Sequence, residues 1–206
     1  KSQGVAYYED NSTGIGQIYQ LNWLNSSWTQ GRISVYDLNG SLDRHITIAS
    51  GYGVWDLCLD GEGNIYICER YCVTCLANDG TFKWRKGKNA SVSSFGTSGS
   101  GNGEFSYAYG ITLGPDENLY VADQSNHRVQ VLDKNGTFIK KFGEQGTAPG
   151  QLNYPYDLIF LPDGKLIVGD NSYLNYFDSN GTFITRTNSS SAKQYVSLAP
   201  DGSIWS

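Results

Sequence analysis

A chain of 206 residues is long enough for one sizeable core, and no shift in composition asks for a second, separate domain. It is rich in Gly, Tyr, Ser and Asn, low in charge and free of Met, which is the profile of a turn-rich, all-β protein. A formal net charge of −5, with few and scattered Lys and Arg, excludes the basic face that a grip on nucleic acid needs. No run approaches the length of a membrane-spanning helix, and Lys1 does not open a signal peptide. Without an initiator Met, the chain is expected to be a processed or partial product.

Short apolar runs follow one another along the whole chain. The first set predicts strands over Gly4 to Tyr8, Gln17 to Leu21, Arg32 to Tyr36 and Leu42 to Ile48, with a turn at Asn39-Gly40. A second set covers Val54 to Leu59, Ile65 to Cys68, Cys72 to Leu76 and Phe82 to Arg85, turning at Asp79-Gly80. The third set is the clearest: Ile111 to Leu113, Leu119 to Ala122, Val129 to Leu132 and Phe138 to Phe142, turning at Asn135-Gly136. Asn-Gly favours the positive φ angles of a tight hairpin, so each set reads as an up-and-down antiparallel sheet. A fourth set runs through Asp157 to Leu161, Leu166 to Gly169, Leu174 to Phe177 and Phe183 to Arg186, turning at Asn180-Gly181. Residues 195–205 match only the first two strands of a fifth. This repetition organises the chain.

The third set also carries a family resemblance. Leu119-Tyr120-Val121-Ala122-Asp123, followed by Asn126-His127-Arg128-Val129-Gln130-Val131, resembles the NHL repeat. Phe142-Gly143, Gly150-Gln151-Leu152 and Pro155 resemble that family's connection between blades. The resemblance implies a β-propeller, usually of six blades, and therefore four-stranded antiparallel blades around a central channel. The blades are expected over 4–49, 50–94, 95–143 and 144–194, with a partial blade over 195–206; the insertion 87–104 reads as a loop between blades. An open propeller leaves strand edges unpaired. Three explanations follow: a fragment of a longer protein, strands supplied by a neighbouring chain, or irregular closure. For function the family is permissive, since it includes binding platforms, RNA binders and a few lyases.

Seven Asn-x-Ser/Thr sequons occur, at Asn11, Asn25, Asn39, Asn89, Asn135, Asn180 and Asn188. Three of them sit at equivalent hairpins, where turn chemistry alone accounts for the wording. The other four lie in Ser-rich loops, and that density suits N-glycans in an extracellular compartment. The four cysteines, Cys58, Cys68, Cys72 and Cys75, all fall in the second blade. In a secreted chain Cys68 and Cys72 are candidates for a disulfide across a short hairpin. Cys58 and Cys75 read as buried thiols, and zinc lacks a fourth ligand. Cys68-x3-Cys72-x2-Cys75 has iron–sulfur spacing, but inside a propeller repeat rather than at the mouth of an α/β barrel.

The two histidines, His45 and His127, read as structural. Amidating lyases with a related propeller use several converging His ligands, which two His on separate blades do not supply. The acidic residues are more suggestive. Asp56 with Glu69, Asp157 with Asp170, and Asp123 fall at one end of their blades, and such a ring of carboxylates could hold Ca²⁺. The alternative is that each carboxylate caps the turn beneath it by accepting backbone N–H bonds. Trp23, Trp28 and Tyr154 lie in loops as candidate contact anchors. The expected function is a non-enzymatic interaction or structural module, meeting protein or glycan partners or self-associating through open blade edges. The alternative is a metal-dependent lyase or lactonase acting at the central mouth.

Overall fold

The computed structural model describes residues 2–9, 16–24, 30–49, 53–188, 196–198 and 204–205. Asn11, Asn25 and Trp28 therefore lie outside the described residues, as does the side chain of Trp23. The first sheet is β1 (Ser2–Glu9), β2 (Gly16–Trp23), β3 (Gln30–Asp37) and β4 (Leu42–Ala49), hydrogen-bonded in chain order. The second is β5 (Val54–Leu59), β6 (Ile65–Glu69), β7 (Cys72–Leu76), β8 (Phe82–Ser91) and β9 (Ser94–Thr97). The third is β10 (Ala108–Leu113), β11 (Leu119–Asp123), β12 (Arg128–Leu132) and β13 (Phe138–Phe142). The fourth is β14 (Asp157–Phe160), β15 (Leu166–Gly169), β16 (Tyr173–Phe177) and β17 (Phe183–Asn188). A two-stranded sheet, β18 (Ser197–Leu198) and β19 (Ile204–Trp205), follows. Every pairing within these sheets is antiparallel. The expected all-β arrangement of four-stranded propeller blades is what the chain forms.

One expected loop is instead a strand pair. β8 runs on past its blade and turns back as β9, so the second sheet has a fifth strand and continues to Thr97. Arg85 anchors this ribbon, its guanidinium lying 4.2 Å from the Phe95 ring centroid.

Each blade packs on the next through a row of four apolar residues paired straight across its strands. In the second blade the row is Leu59, Ile65, Leu76 and Phe82; in the third, Leu113, Leu119, Leu132 and Phe138; in the fourth, Phe160, Leu166, Phe177 and Phe183. Each row faces the preceding blade and merges into a core with it. The two middle residues of each row are almost wholly buried, and each such burial stabilises the fold by about 1.5–3 kcal/mol.

The hairpin between the two outer strands repeats with equal regularity. Asp133 carbonyl accepts from Gly136 N–H (3.0 Å), and its carboxylate accepts from Asn135 N–H (2.9 Å) and Thr137 N–H (2.8 Å). Asp37 and Asp178 do the same in their blades. Only the glycine has positive φ, +81° at Gly136. The turn is thus a three-residue loop with a glycine bulge, not a tight two-residue Asn-Gly hairpin, because the Asp side chain holds the backbone N–H groups. Gly80, Gly136 and Gly181 also lie under the preceding blade: an added Cβ would sit 2.7 Å from Ile46, 3.0 Å from Trp84 and 2.4 Å from Phe142. Beside each glycine, an outer-strand side chain of the preceding blade donates to a hairpin carbonyl. Arg44 donates to Asn78 (3.3 Å), Trp84 to Lys134 (3.0 Å) and Lys140 to Ser179 (2.7 Å).

Candidate functional site: the central channel and its mouth

The innermost strands of all five blades surround one cavity of about 510 Å³. Val5 and Ala6 come from β1, Asp56 from β5, Ile111 from β10, Asp157 from β14 and Ser197 from β18. Asp56, Gly110 and Asp157 occupy the same position in successive blades, and Leu57, Ile111, Leu158 and Val196 the next one. Asp56 accepts a hydrogen bond from Ile111 N–H in the next blade (3.0 Å). Asp157 accepts from Val196 N–H in its next blade (2.9 Å) and from Leu158 N–H (2.8 Å). The two aspartates therefore pin neighbouring blades together at the channel wall. Blade three has no room for the device, since a Cβ at Gly110 would lie 2.7 Å from Tyr156 carbonyl oxygen.

Burial is the main force on both carboxyls. It pushes Asp157 up to about 6 against the pull of its N–H donors. Burial also holds Asp56 well above the ordinary carboxylate range, and the charge of Asp157 adds to the effect.

The other three acidic candidates are elsewhere. Glu69, Asp123 and Asp170 occupy one equivalent position at the end of the second strand of their blades, each buried. Asp123 accepts from Ser106 N–H (2.8 Å), Asn126 Nδ2 (2.9 Å), Arg128 Nε (2.8 Å) and Gln130 Nε2 (3.0 Å). Asp170 accepts from the backbone N–H groups of Asn153, Ser172 and Tyr173 and from Asn175 Nδ2. Glu69 meets Thr74 and lies 3.3 Å from Arg85. These carboxylates hold loops and the third strand in place, which is the turn-capping alternative extended across the sheet. Among the described residues, no group of three or more His, Cys, Asp or Glu side chains is placed to hold a metal ion. The five-residue calcium set is thus divided into a channel pair and three separate structural carboxylates.

The cysteines also divide. Cys68 pairs with Val73 and Glu69 with Cys72 across the β6–β7 register, so the side chains of Cys68 and Cys72 leave opposite faces of the sheet. The expected disulfide between them is not formed, and all four thiols are free. Cys68 donates to Gly110 carbonyl in the next blade (3.6 Å). Burial raises all four thiols above their ordinary value, Cys75 to about 12.

The histidines are structural in form. His127 closes a 3₁₀ turn over Gln124–Asn126 at φ 55°, and its Nδ1 accepts from Tyr154 N–H (3.2 Å). His45 Nδ1 contacts Ser34 Oγ at 3.2 Å.

An aromatic arc links the starts of the inner strands, and residue-by-residue reading of the sequence missed it. Trp55 stacks on Tyr109 (5.0 Å, 14°), and Tyr109 meets Tyr156 edge-on (5.2 Å, 88°). Beside them, Arg70 lies 5.1 Å from the Tyr71 ring centroid and 4.4 Å from that of Tyr107. The signal was present: Trp55, Tyr109 and Tyr156 each precede the same position of the inner strand. Tyr156 is buried, whereas Trp55, Tyr109, Arg70, Tyr71 and Tyr107 are partly exposed.

The comparisons agree with this geometry. A profile of the NHL repeat matches residues 105–132, which contain β10, β11 and β12. This chain carries an NHL repeat. The NHL-repeat chain is also 40% identical over 68 residues to Protein lin-41 of Caenorhabditis elegans, a stretch that is 30% of this chain and 6% of that protein. In fold it is similar to a streptogramin B lyase (TM-score 0.68, 16% identity), covering 99% of this chain and 61% of that one. It is similar as well to virginiamycin B lyase from Staphylococcus aureus (TM-score 0.68, 14% identity), covering 99% of this chain and 62% of that one. A protein of unknown function from Bacteroides caccae matches at TM-score 0.60 and 13% identity, covering 99% and 69%. These likenesses are of fold. The NHL-repeat chain spans 6% of the length of lin-41 and 61–62% of the two lyases.

Proposed function

We propose that this NHL-repeat propeller is a non-enzymatic interaction module, extracellular and N-glycosylated, that meets protein or glycan partners at the aromatic mouth. The observation that carries the reading is the arc of Trp55, Tyr109 and Tyr156 at the starts of the inner strands, with Arg70 set against Tyr71 and Tyr107. Glycosylation is supported by the exposure of every sequon asparagine within the described residues: Asn39, Asn89, Asn135, Asn180 and Asn188. Three buried thiols and a half-buried one are compatible with an oxidising compartment, because burial raises all four above their ordinary value.

The test is the intact mass of natively isolated protein, before and after enzymatic removal of N-glycans. Loss of several glycan masses supports the reading, and an unchanged mass refutes the glycoprotein part of it. Binding of glycan and peptide panels by wild type and by Trp55→Ala tests the mouth. A partner held equally by both proteins would place the contact elsewhere.

A second reading, hydrolytic or lyase chemistry in the channel, is favoured by one observation: the paired carboxyls of Asp56 and Asp157 with raised affinity for protons. It requires an activity that Asp157→Ala abolishes.

A further inference from the structure

Three of the sequons repeat at one place in the fold, and the fold gives their asparagine no structural task. In the hairpins 37–41, 133–137 and 178–182 the side-chain cap is an aspartate. Asp37, Asp133 and Asp178 each accept two backbone N–H groups of their turn. Asn39, Asn135 and Asn180 contribute only a backbone N–H, which any residue but proline supplies, and their amides enter none of the turn's hydrogen bonds. Backbone conformation does not call for asparagine either. Positive φ falls on the glycine alone, +82° at Gly40, +81° at Gly136 and +88° at Gly181, whereas a two-residue Asn-Gly turn needs it at both residues. The second blade shows what the position becomes when the turn does depend on it. There Ala77 stands in place of the capping aspartate, and Asp79, in the asparagine position, accepts Thr81 N–H (2.8 Å). That hairpin has no sequon.

Asn89 is the opposite case. It lies in the β8–β9 ribbon at φ 56°, in the left-handed region where asparagine is enriched, and its Nδ2 donates to Thr97 Oγ1 across the strands (3.3 Å). The ribbon itself explains its residue type. The strand registers then set the three hairpins at one end of their blades. The pairs beside them are Tyr36 with Leu42, Leu132 with Phe138 and Phe177 with Phe183. In the third and fourth blades these are level with the last residues of the inner strands, Leu113 and Phe160. Trp55, Tyr109 and Tyr156 lie at the other end, where the inner strands start, and Arg70 and Tyr71 join β6 to β7 there. Asn188 is at that end too, on the outermost strand opposite Tyr173.

We propose that Asn39, Asn135 and Asn180 carry N-glycans that cover the hairpin end of the blades, so that a partner meets the propeller at the opposite end, where the aromatic arc lies. The proposal rests on the glycoprotein reading and gives it a side. Each of the three asparagines is exposed, one on each of three blades, and each is followed by Gly and then Ser or Thr. A glycan is bulky and solubilising, so three of them at one end exclude a protein surface from it. Their attachment disturbs no hydrogen bond of the turn, because the amide that would carry the sugar makes none.

Glycopeptide mass spectrometry of natively isolated protein reads each sequon separately. The expected result is a glycan at Asn39, Asn135 and Asn180 and none at Asn89. Glycans at Asn89 or Asn188 with the three hairpins bare overturn this proposal and leave the glycoprotein reading standing. A protein with no glycan at any sequon refutes that reading as well. Hydroxyl-radical footprinting before and after enzymatic removal of the glycans tests the side. Ile139 and Ile184, each 45% exposed and next to a hairpin, should gain labelling, while Trp55 and Tyr107 stay as they were. Equal gains at both ends overturn the assignment. The turn-chemistry alternative is measured on unglycosylated recombinant protein. Asn39→Gln, Asn135→Gln and Asn180→Gln together should leave the melting temperature unchanged, and Asn89→Gln should lower it. A fall for the combined hairpin variant as large as that for Asn89→Gln returns the three asparagines to turn chemistry and overturns the proposal.

Discussion

Replacing Asp157 by Asn should remove the pH dependence of stability that this residue contributes at the channel wall. Asp157 titrates at about 6 in the folded protein against 3.8 for the solvated group, so holding it ionised costs the native state about 3 kcal/mol at neutral pH. The sign follows from the raised value. As pH falls through about 6 the native protein binds the proton before the unfolded chain does, and stability rises until both are protonated below about 4. Asn removes that penalty but keeps a single acceptor oxygen for the two N–H groups of Leu158 and Val196. Losing one such bond costs about 1 kcal/mol. The variant should therefore be more stable than wild type by about 2 kcal/mol near pH 7.5, about equal to it near pH 4.5 and less stable by about 1 kcal/mol near pH 3. Urea unfolding of both proteins at several pH values measures the difference, in which carboxylates remote from Asp157 cancel. A difference that stays constant across this range would refute the burial argument.

Other substitutions test the packing. Arg128→Ala leaves Asp123 buried without its ion pair and should cost about 3–5 kcal/mol in denaturant unfolding; a loss below 1 kcal/mol, roughly that of an exposed pair, would contradict the described geometry. Gly181→Ala sets a Cβ 2.4 Å from Phe142 at φ +88°, whereas Gly40→Ala meets no neighbour at φ +82°. Melting temperature should fall much further for Gly181→Ala, and equal losses would show that backbone strain alone governs the site. Alkylation of native protein at mildly alkaline pH should leave Cys68 and Cys72 unmodified, while denaturant exposes four thiols to the reagent. A mass two hydrogens short under non-reducing conditions would restore the disulfide.

Much of the fold was legible because period-two apolar runs and Asn-Gly or Asp-Gly hairpins recur in a fixed order. The expected strand Phe138 to Phe142 is β13 to the residue, since both its ends are set by local turn chemistry. The extension of β8 was not legible, because Lys86 to Ser91 has neither apolar alternation nor a strong turn signal. Its pairing depends on Arg85 and Phe95 meeting across the ribbon. At the site, sequence spacing placed the five carboxylates at one end of their blades. It could not distinguish Asp56 and Asp157, which face the channel, from Asp123 and Asp170, which turn into the blade. That distinction depends on which face of the sheet each residue leaves, and a one-residue offset reverses it. The same parity separates Cys68 from Cys72.

The fastening of blade to blade at the hairpins has a consequence for how such repeats diverge. A guanidinium at Arg44, an indole at Trp84 and an ammonium at Lys140 deliver a hydrogen to the same carbonyl position in three successive blades. Selection at this point acts on where a proton is delivered, and three unrelated chemistries satisfy it equally. Duplicated units can therefore drift apart in wording while the joint between them is kept. A profile written in residue identities then recognises the least altered copy, here 105–132, while neighbours built to the same plan go unread.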